Sequence, residues 1–360
     1  MGRTVIDGAT GEMIWDADDS LGNAINSFLG PLPCVADLDE DGFQEVIAGN
    51  TLFTFDGQVI WQADVPDGLC AVGNVYGDEG PEVVIVSNGF LRILDPADGS
   101  RLWSRRLEGR TARNVGGAPT IADFDGDGQA EIGVAHGGAY GVYDPTCATG
   151  NPMCAGDGLL WDADTDDGSS AGTGSSLFDF NGDGTAEVVY NDEQHFWIFE
   201  GLTGNILFQH PNSSRTRSEN PTIADVDNDG DAEIVFSANA EARFIREFWT
   251  DPGLEVWGDA RGRWVGARRI WNQHSYHITN VDENGHIPAV PEASWRTHNS
   301  YRKNLREGGD VLVVPDLWGG EGSYECVGPD RARLTITVYN YGLERAGAGA
   351  IVGIYRGRPS

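Results

Sequence analysis

The chain has 360 residues, enough for one large repeat domain or two ordinary ones around a substantial core. Its 56 acidic residues against 24 basic ones give a formal charge of −32. A surface of that sign repels phosphate backbones and anionic lipid, which argues against a nucleic-acid partner. Fifty glycines, about twice the usual share and without a strict three-residue period, suit an all-β chain with many tight turns.

No stretch approaches the ~20 apolar residues of a bilayer span, so no membrane insertion is expected. The N-terminus lacks the basic and apolar regions of a signal peptide and opens on Arg3-Thr4-Val5-Ile6-Asp7-Gly8. That start reads as the inside of a repeat and suggests a processed or truncated chain. Lys303 is the single lysine, a bias that a GC-rich genome and adaptation to high salt both produce. Cys147 and Cys154 flank a short Gly/Pro/Asn loop and are expected to pair, whereas Cys34, Cys70 and Cys326 have no obvious partners. A disulfide points to an oxidising compartment.

Two signals alternate along the chain. The first is a hairpin ending in an aromatic, beginning with Val5-Ile6-Asp7-Gly8 and closing at Trp15. A strand, an acidic loop and a second strand follow, from Val35 to Ile47, and then a hairpin through Asp56-Gly57 closes at Trp61. A diverged copy of the acidic unit spans 72–86, and the next hairpin, through Asp98-Gly99, closes at Trp103. Further acidic units lie at 121–134, 177–189 and 223–235. The hairpins after them close at Trp161, Phe208 and Trp257, the last reading from Phe248-Trp249 through Asp251-Pro252-Gly253. Asp-Gly between apolar runs is a strong hairpin signal, because the tight turn needs a positive φ.

Each unit is thus four short strands in roughly 45 residues, the signature of a β-propeller blade. Six blades are expected, with seven as the alternative. The first hairpin lacks its acidic pair, so closure should come from the C-terminal side. Strands from Arg268-Arg269-Ile270-Trp271 to Ile278, with a turn at 282–285, are expected to complete that blade beside Trp15.

The acidic loops carry the chemistry. In the first, Asp37, Asp39, Asp41 and Glu45 occupy loop positions 1, 3, 5 and 9, with Gly42 at 6 and Phe43 offering its carbonyl at 7. Alternate residues of a tight loop turn inward, so three carboxylates converge, as in the first half of an EF-hand loop. The second set is Asp123, Asp125, Asp127, Gln129 and Glu131. The third is Asp179, Asn181, Asp183, Thr185 and Glu187, and the fourth Asp225, Asp227, Asp229, Asp231 and Glu233. A single such loop is readily a polar turn; four in equivalent places imply a hard dication. All-oxygen donors favour Ca2+ over zinc, giving about four ions. In the diverged copy (Asn74, Tyr76, Asp78, Glu82), Tyr76 removes the position-3 carboxylate and no metal is expected. Asn280, Asp282 and Asn284 lack a position-9 acid and read as a plain turn.

On these loops, residues 1–303 resemble the FG-GAP and VCBS repeat propellers, the integrin-α-like group. The resemblance implies a secreted or cell-surface, calcium-dependent module for adhesion or for recognition of a glycan or protein, non-enzymatic and monomeric within a longer multidomain chain. Some relatives carry polysaccharide-cleaving enzymes on this scaffold, so a polysaccharide lyase or glycoside hydrolase is the alternative. Residues 311–360, with the alternating run from Leu334 to Gly342 and Ile351 to Tyr355, resemble the opening of an Ig-like CARDB adhesion domain. An Ig-type sandwich needs ~100 residues, so this second, β-sandwich segment reads as partial.

Other constellations are weaker. His274 and His277 form H-x-x-H, but on a strand they point to opposite faces and read as structural. Trp264, Trp271, Tyr276, Trp295 and Tyr301 read as packing for the closing blade, with a sugar-stacking platform as the other option. No G-x-S-x-G elbow, H-E-x-x-H or P-loop occurs, and the lone lysine counts against a lysine base.

Overall fold

The computed structural model describes residues 3–17, 32–77, 80–111, 116–147, 158–168, 172–216, 219–239, 252–306, 317–328 and 331–340. Among these, regular structure is strand apart from a 3-10 turn at Ile278–Asn280 and the four-residue helix α1 (Ser294–Thr297).

The first hairpin is β1 (Arg3–Ile6) with β2 (Met13–Ala17). The first four-stranded sheet is β3 (Cys34–Ala36), β4 (Glu45–Ala48), β5 (Thr51–Phe53) and β6 (Val59–Gln62). The second is β7 (Leu69–Gly73), β8 (Glu82–Ser87), β9 (Phe90–Leu94) and β10 (Arg101–Arg106). The third is β11 (Thr120–Ala122), β12 (Glu131–His136), β13 (Ala139–Tyr143) and β14 (Leu159–Asp164). The fourth is β15 (Ser176–Phe178), β16 (Glu187–Asn191), β17 (His195–Phe199) and β18 (Ile206–Pro211). A three-stranded fifth sheet holds β19 (Thr222–Ala224), β20 (Glu233–Ala238) and β21 (Gly253–Trp257). Finally β22 (Leu317–Gly328) pairs antiparallel with β23 (Arg331–Asn340).

Within each sheet the strands lie in chain order, all antiparallel, and the first strands β3, β7, β11, β15 and β19 sit side by side. That is blade geometry: first strands line the hub and fourth strands face outward. Residue type follows position. The run Glu82-Val83-Val84-Ile85-Val86 in β8 is buried on both faces, whereas Arg101-Leu102-Trp103-Ser104 in β10 alternates between exposed and half-buried.

The closing tryptophans join one sheet to the next. The Nε1–H of Trp15 donates to the Phe55 carbonyl (3.0 Å), that of Trp61 to Pro96 (2.7 Å) and that of Trp161 to Gly201 (2.6 Å). Each acceptor lies in the hairpin turn of the following sheet. The turn glycines Gly57, Gly99 and Gly204 lie against these indoles, and a Cβ on any of them would fall within 3.0 Å of the ring. The Asp-Gly and Thr-Gly turns are therefore set by the neighbouring indole as well as by a positive φ.

The hub is filled by residues 299–304. The Asn299 side chain brackets Asn74, at the end of β7, accepting from its N–H (2.8 Å) and donating to its carbonyl (2.7 Å). Tyr301 pairs with Ile121 of β11 through both backbone groups. Leu177 of β15 donates to the Arg302 carbonyl (2.9 Å) and accepts from Asn304 N–H (3.1 Å). The Asn304 amide reaches Ile223 O on β19 (2.7 Å). Arg302 is 1% exposed, its guanidinium donating to Ser175 O and His274 O, and burial lowers its pKa to about 10.

This plug replaces the expected closing strands. Residues 268–278 form no inner blade strands, and β1 and β2 stand as a two-stranded sheet with no C-terminal strand beside Trp15 among the described residues. Left-handed backbone at Asn299 and Arg302 breaks any extended run, while Arg and Asn side chains take up hub carbonyls that no ladder reaches. His274 accordingly lies on a turn and His277 is the extended residue before the 3-10 turn, neither in a strand; burial pushes their pKa values down to about 3 and about 4. Of the aromatics, Tyr276, Trp295 and Tyr301 are buried, and Trp271 stacks on Tyr276 at 4.4 Å.

Two further expectations change. Strand β21 pairs directly with β20, so it is the third strand of its sheet and not the outer arm of a hairpin; residues 240–251, with Phe248 and Trp249, lie outside the described residues. Cys34 and Cys70, which spacing left unpaired, form a disulfide joining β3 to β7. Adjacent first strands bring together positions 36 residues apart in sequence, which spacing alone does not reveal. Cys147 is also disulfide-bonded, and Cys154 lies outside the described residues. Of residues 311–360, the described part is the β22–β23 hairpin.

Candidate metal centres

All four complete acidic loops connect the first and second strands of a sheet, at the same end as the tryptophan-bearing turns. In every case the position-9 glutamate pairs across the ladder with the residue before the loop: Glu45 with Ala36, Glu131 with Ala122, Glu187 with Phe178, Glu233 with Ala224. Its Oε2 accepts the position-2 amide, from Leu38 (2.8 Å), Phe124 (2.7 Å), Phe180 (2.9 Å) and Val226 (3.0 Å). Sequence spacing missed this clamp. The diverged loop keeps it, Glu82 accepting from Val75 and Tyr76 although the position-3 acid is gone, so the clamp is a folding device in its own right. Asp78 lies outside the described residues.

The other acids also shape the loop. Asp37 accepts Asp41 N–H and Gly42 N–H, and Asp179 likewise holds Asp183 and Gly184. Positions 3 and 5 each turn one oxygen to an amide two residues on, as Asp125 does to Asp127 and Asp127 to Gln129. Position 6 has φ between 88° and 97° in all four loops (Gly42, Gly128, Gly184, Gly230), with open space where a Cβ would sit. Glycine is required there by conformation, not by room.

The carboxylates converge. Ligand oxygens of Asp37, Asp39 and Glu45 lie within 4.8 Å of one another, as do those of Asp123, Asp125 and Asp127, and of Asp225, Asp227 and Asp229. In the third loop Asn181 replaces the position-3 acid and its Nδ2 donates to Asp183 (2.9 Å). The carbonyl-bearing residues Phe43, Gln129, Thr185 and Asp231 follow at position 7.

Electrostatics show what the arrangement lacks. Burial, then the charges of the loop's own aspartates, raises Glu45 to about 7, Glu131 to about 9 and Glu187 to about 8, and raises Glu233. Buried Glu131 Oε1 and Asp225 Oδ1 have no hydrogen-bond partner. Crowded carboxylates with unused buried oxygens fit a hard cation held by oxygen, and offer nothing to a soft one.

The Asp282 turn behaves as a turn, its oxygens taken by Asn284 and His286 amides. One cluster at the opposite end of the sheets had no sequence signal: Asp166 meets His195 at 2.7 Å beside buried Asp192. Asp192 already accepts four N–H groups, from Asp166, Gln194, His195 and Trp197, and is a capped turn.

Comparison with known proteins agrees with this geometry. Residues 179–236, which begin at the first ligand of the third loop and contain all of the fourth, match the FG-GAP-like repeat. Mouse cartilage acidic protein 1 is 28% identical over 271 residues, covering 67% of this chain and 39% of that protein, so the chain spans about two fifths of its relative. The V. cholerae biofilm matrix protein Bap1 superposes with a TM-score of 0.63 at 18% identity, over 82% of this chain and 72% of that one, a likeness of fold. The described chain is an all-β, propeller-type protein whose residues 179–236 match the FG-GAP-like repeat.

Proposed function

We propose that each of the four complete loops binds one calcium ion and that the chain is an extracellular, calcium-stabilised adhesion module without catalytic activity, presenting loops to a glycan or protein. The observation that carries this is the repetition of one acidic loop in four equivalent places, with carboxylates converging within 4.8 Å in three of them. Within a loop, positions 1, 3 and 5, the position-7 carbonyl and the position-9 glutamate would hold the ion. Bound calcium would neutralise the crowding that raises those glutamates.

Repetition also argues against catalysis, because a reaction needs one specialised centre with an acid and a base beside an open coordination position. The Cys34–Cys70 disulfide suits an oxidising compartment, and the names of the two relatives, a cartilage protein and a biofilm matrix protein, support an extracellular setting. No helix among the described residues is long and apolar enough to cross a membrane.

Calorimetric titration of the chelator-stripped chain should show about four sites. Extracellular modules bind at ~10⁻⁴ M or weaker. At ~1 mM calcium, linkage then gives about 1.4 kcal/mol per site, about 5–6 kcal/mol in all. Fewer than two sites, or a melting temperature indifferent to EGTA, would defeat the calcium reading. A glycan-array screen with and without calcium tests recognition, and calcium-dependent release of sugar ends from polysaccharide would replace it with the enzyme reading.

A further inference from the structure

One junction between sheets is built differently, and it leaves an open-mouthed cavity of about 460 Å3. Register identifies the equivalent positions. Trp61 pairs with Leu52, Trp161 with Val142, and Phe208 with Ile198. Phe208 is thus the closing aromatic of the fourth sheet, but it has no ring N–H to donate. Trp61 and Trp161 are 7% and 8% exposed at their junctions, whereas Phe208 is 38% exposed.

The facing sheet is altered as well. Trp257 pairs with Ile234 as Phe199 pairs with Val188, so the turn after Trp257 corresponds to the turn that receives Trp161. By that alignment the acceptor Gly201 corresponds to Asp259. Past this turn the chain leaves the sheet: Val265 N–H bonds Phe180 O (3.0 Å), and Trp264 packs on Phe180 at 4.6 Å. No fourth strand among the described residues covers the fifth sheet. Among the described residues, the space filled by an indole at the other junctions is left open beside the contacting rings of Phe196, Phe208 and Trp257 (5.5–6.4 Å), with Ile198, Ile234 and Trp264 completing the apolar wall and Asn181 and Glu187 of the third acidic loop at its polar side. Asp259 lies on its rim, held by a salt bridge to Arg263 (2.7 Å), and its backbone carbonyl accepts one N–H, leaving a second lone pair.

We propose that this cavity is a binding site for a small planar aromatic ligand carrying one ring N–H, of the indole class. The chain supplies the template: at three junctions its own indole fills the corresponding space and donates to the corresponding carbonyl. Aromatic walls offer offset and edge-on ring contacts, and the Asp259 carbonyl, placed like the acceptors of the other turns, fixes orientation.

The probe is indole, titrated into the full chain at fixed calcium and followed by calorimetry and ligand-observed NMR. One saturable site is expected with a Kd of about 0.1–1 mM, which asks about 0.5–0.6 kcal/mol of each of nine heavy atoms, between the drug-sized value and the small-ligand ceiling. Phe208→Trp should fill the site from within, raising Tm and weakening indole at least about tenfold. Leu207→Glu, at an exposed strand position on the cavity mouth, should also weaken binding and keeps the test open if the first variant does not fold. 1-Methylindole, lacking the donor, should bind several-fold more weakly. Absence of saturable binding, equal binding by wild type and Phe208→Trp, equal affinity for 1-methylindole, or displacement of indole by a methyl pyranoside would each overturn the proposal.

Discussion

Glu131→Gln separates the two duties of the position-9 glutamate. Gln keeps an oxygen for the Phe124 amide, so the clamp survives, but removes the charge from a side chain that is 1% exposed. The folded carboxyl titrates near 9 against 4.5 unfolded, so the calcium-free fold favours the proton. Its contribution is therefore full at low pH, is lost as pH rises from 4.5, and levels off near 9. At pH 7 the linkage limit is about 3 kcal/mol, and relaxation reduces it, so Glu131→Gln should stabilise the calcium-free chain by about 1–3 kcal/mol. The same change should cut the calcium-induced gain by about a quarter, or about 1.4 kcal/mol at ~1 mM ion. Urea unfolding in EGTA and in calcium, for wild type, Glu131→Gln and the control Glu82→Gln, measures both effects. If Glu131→Gln destabilises in EGTA, or leaves the calcium gain whole, the glutamate is a clamp alone and the cation argument for that loop fails.

Three other outcomes are expected. Asp125→Ala should remove one calcium site in calorimetry and leave three, because each loop draws its ligands locally. Asn304→Ala deletes an amide, 1% exposed, that donates to Ile223 O and Arg268 O and accepts from Tyr276 and Leu305. Stranding those buried partners should cost about 3–5 kcal/mol in urea unfolding, and a loss under about 1 kcal/mol would show the hub plug to be dispensable. His136 and His277 are buried and neutral, with pKa values pushed down to about 4, so their contribution is full above about 6.5 and lost as pH falls toward 4. In saturating calcium, Tm should fall across that window, and a flat profile would contradict the burial of both rings.

The blades and loops were legible because both are local: a strand–turn–strand unit and a nine-residue loop contain their own instructions. The hub was not. Asn299, Tyr301, Arg302 and Asn304 meet backbone groups on or just beyond β7, β11, β15 and β19, contacts separated by up to more than two hundred residues in sequence, as with Asn299 and Asn74. Nothing near them in sequence announces such a role. The same limit hid the Cys34–Cys70 pair. The glutamate clamp was hidden differently, because a metal ligand and an amide acceptor demand the same residue at the same position. Only Glu82, keeping the clamp in a loop without the position-3 acid, separates the two.

The tryptophan turns and the acidic loops share one end of the sheets, and that has an energetic consequence. Phe43, at position 7 of the first loop, stacks on Phe55 at 4.6 Å, and the Phe55 carbonyl receives the Trp15 indole. In the third sheet Gln129, also at position 7, reaches Thr146 in the neighbouring turn (3.4 Å). A cation drawn to a loop would fix the position-7 carbonyl, and with it the side chain that supports the turn holding the preceding sheet's indole. Calcium binding at one loop should therefore stiffen the junction to the sheet before it. Stability gained from calcium would then reside in contacts between sheets as much as in the loops. Phe43→Ala tests this link: it leaves all ligand oxygens in place, yet should lower the calcium-induced gain in Tm by weakening the Trp15 junction. An unchanged gain would confine the effect of the ion to its own loop.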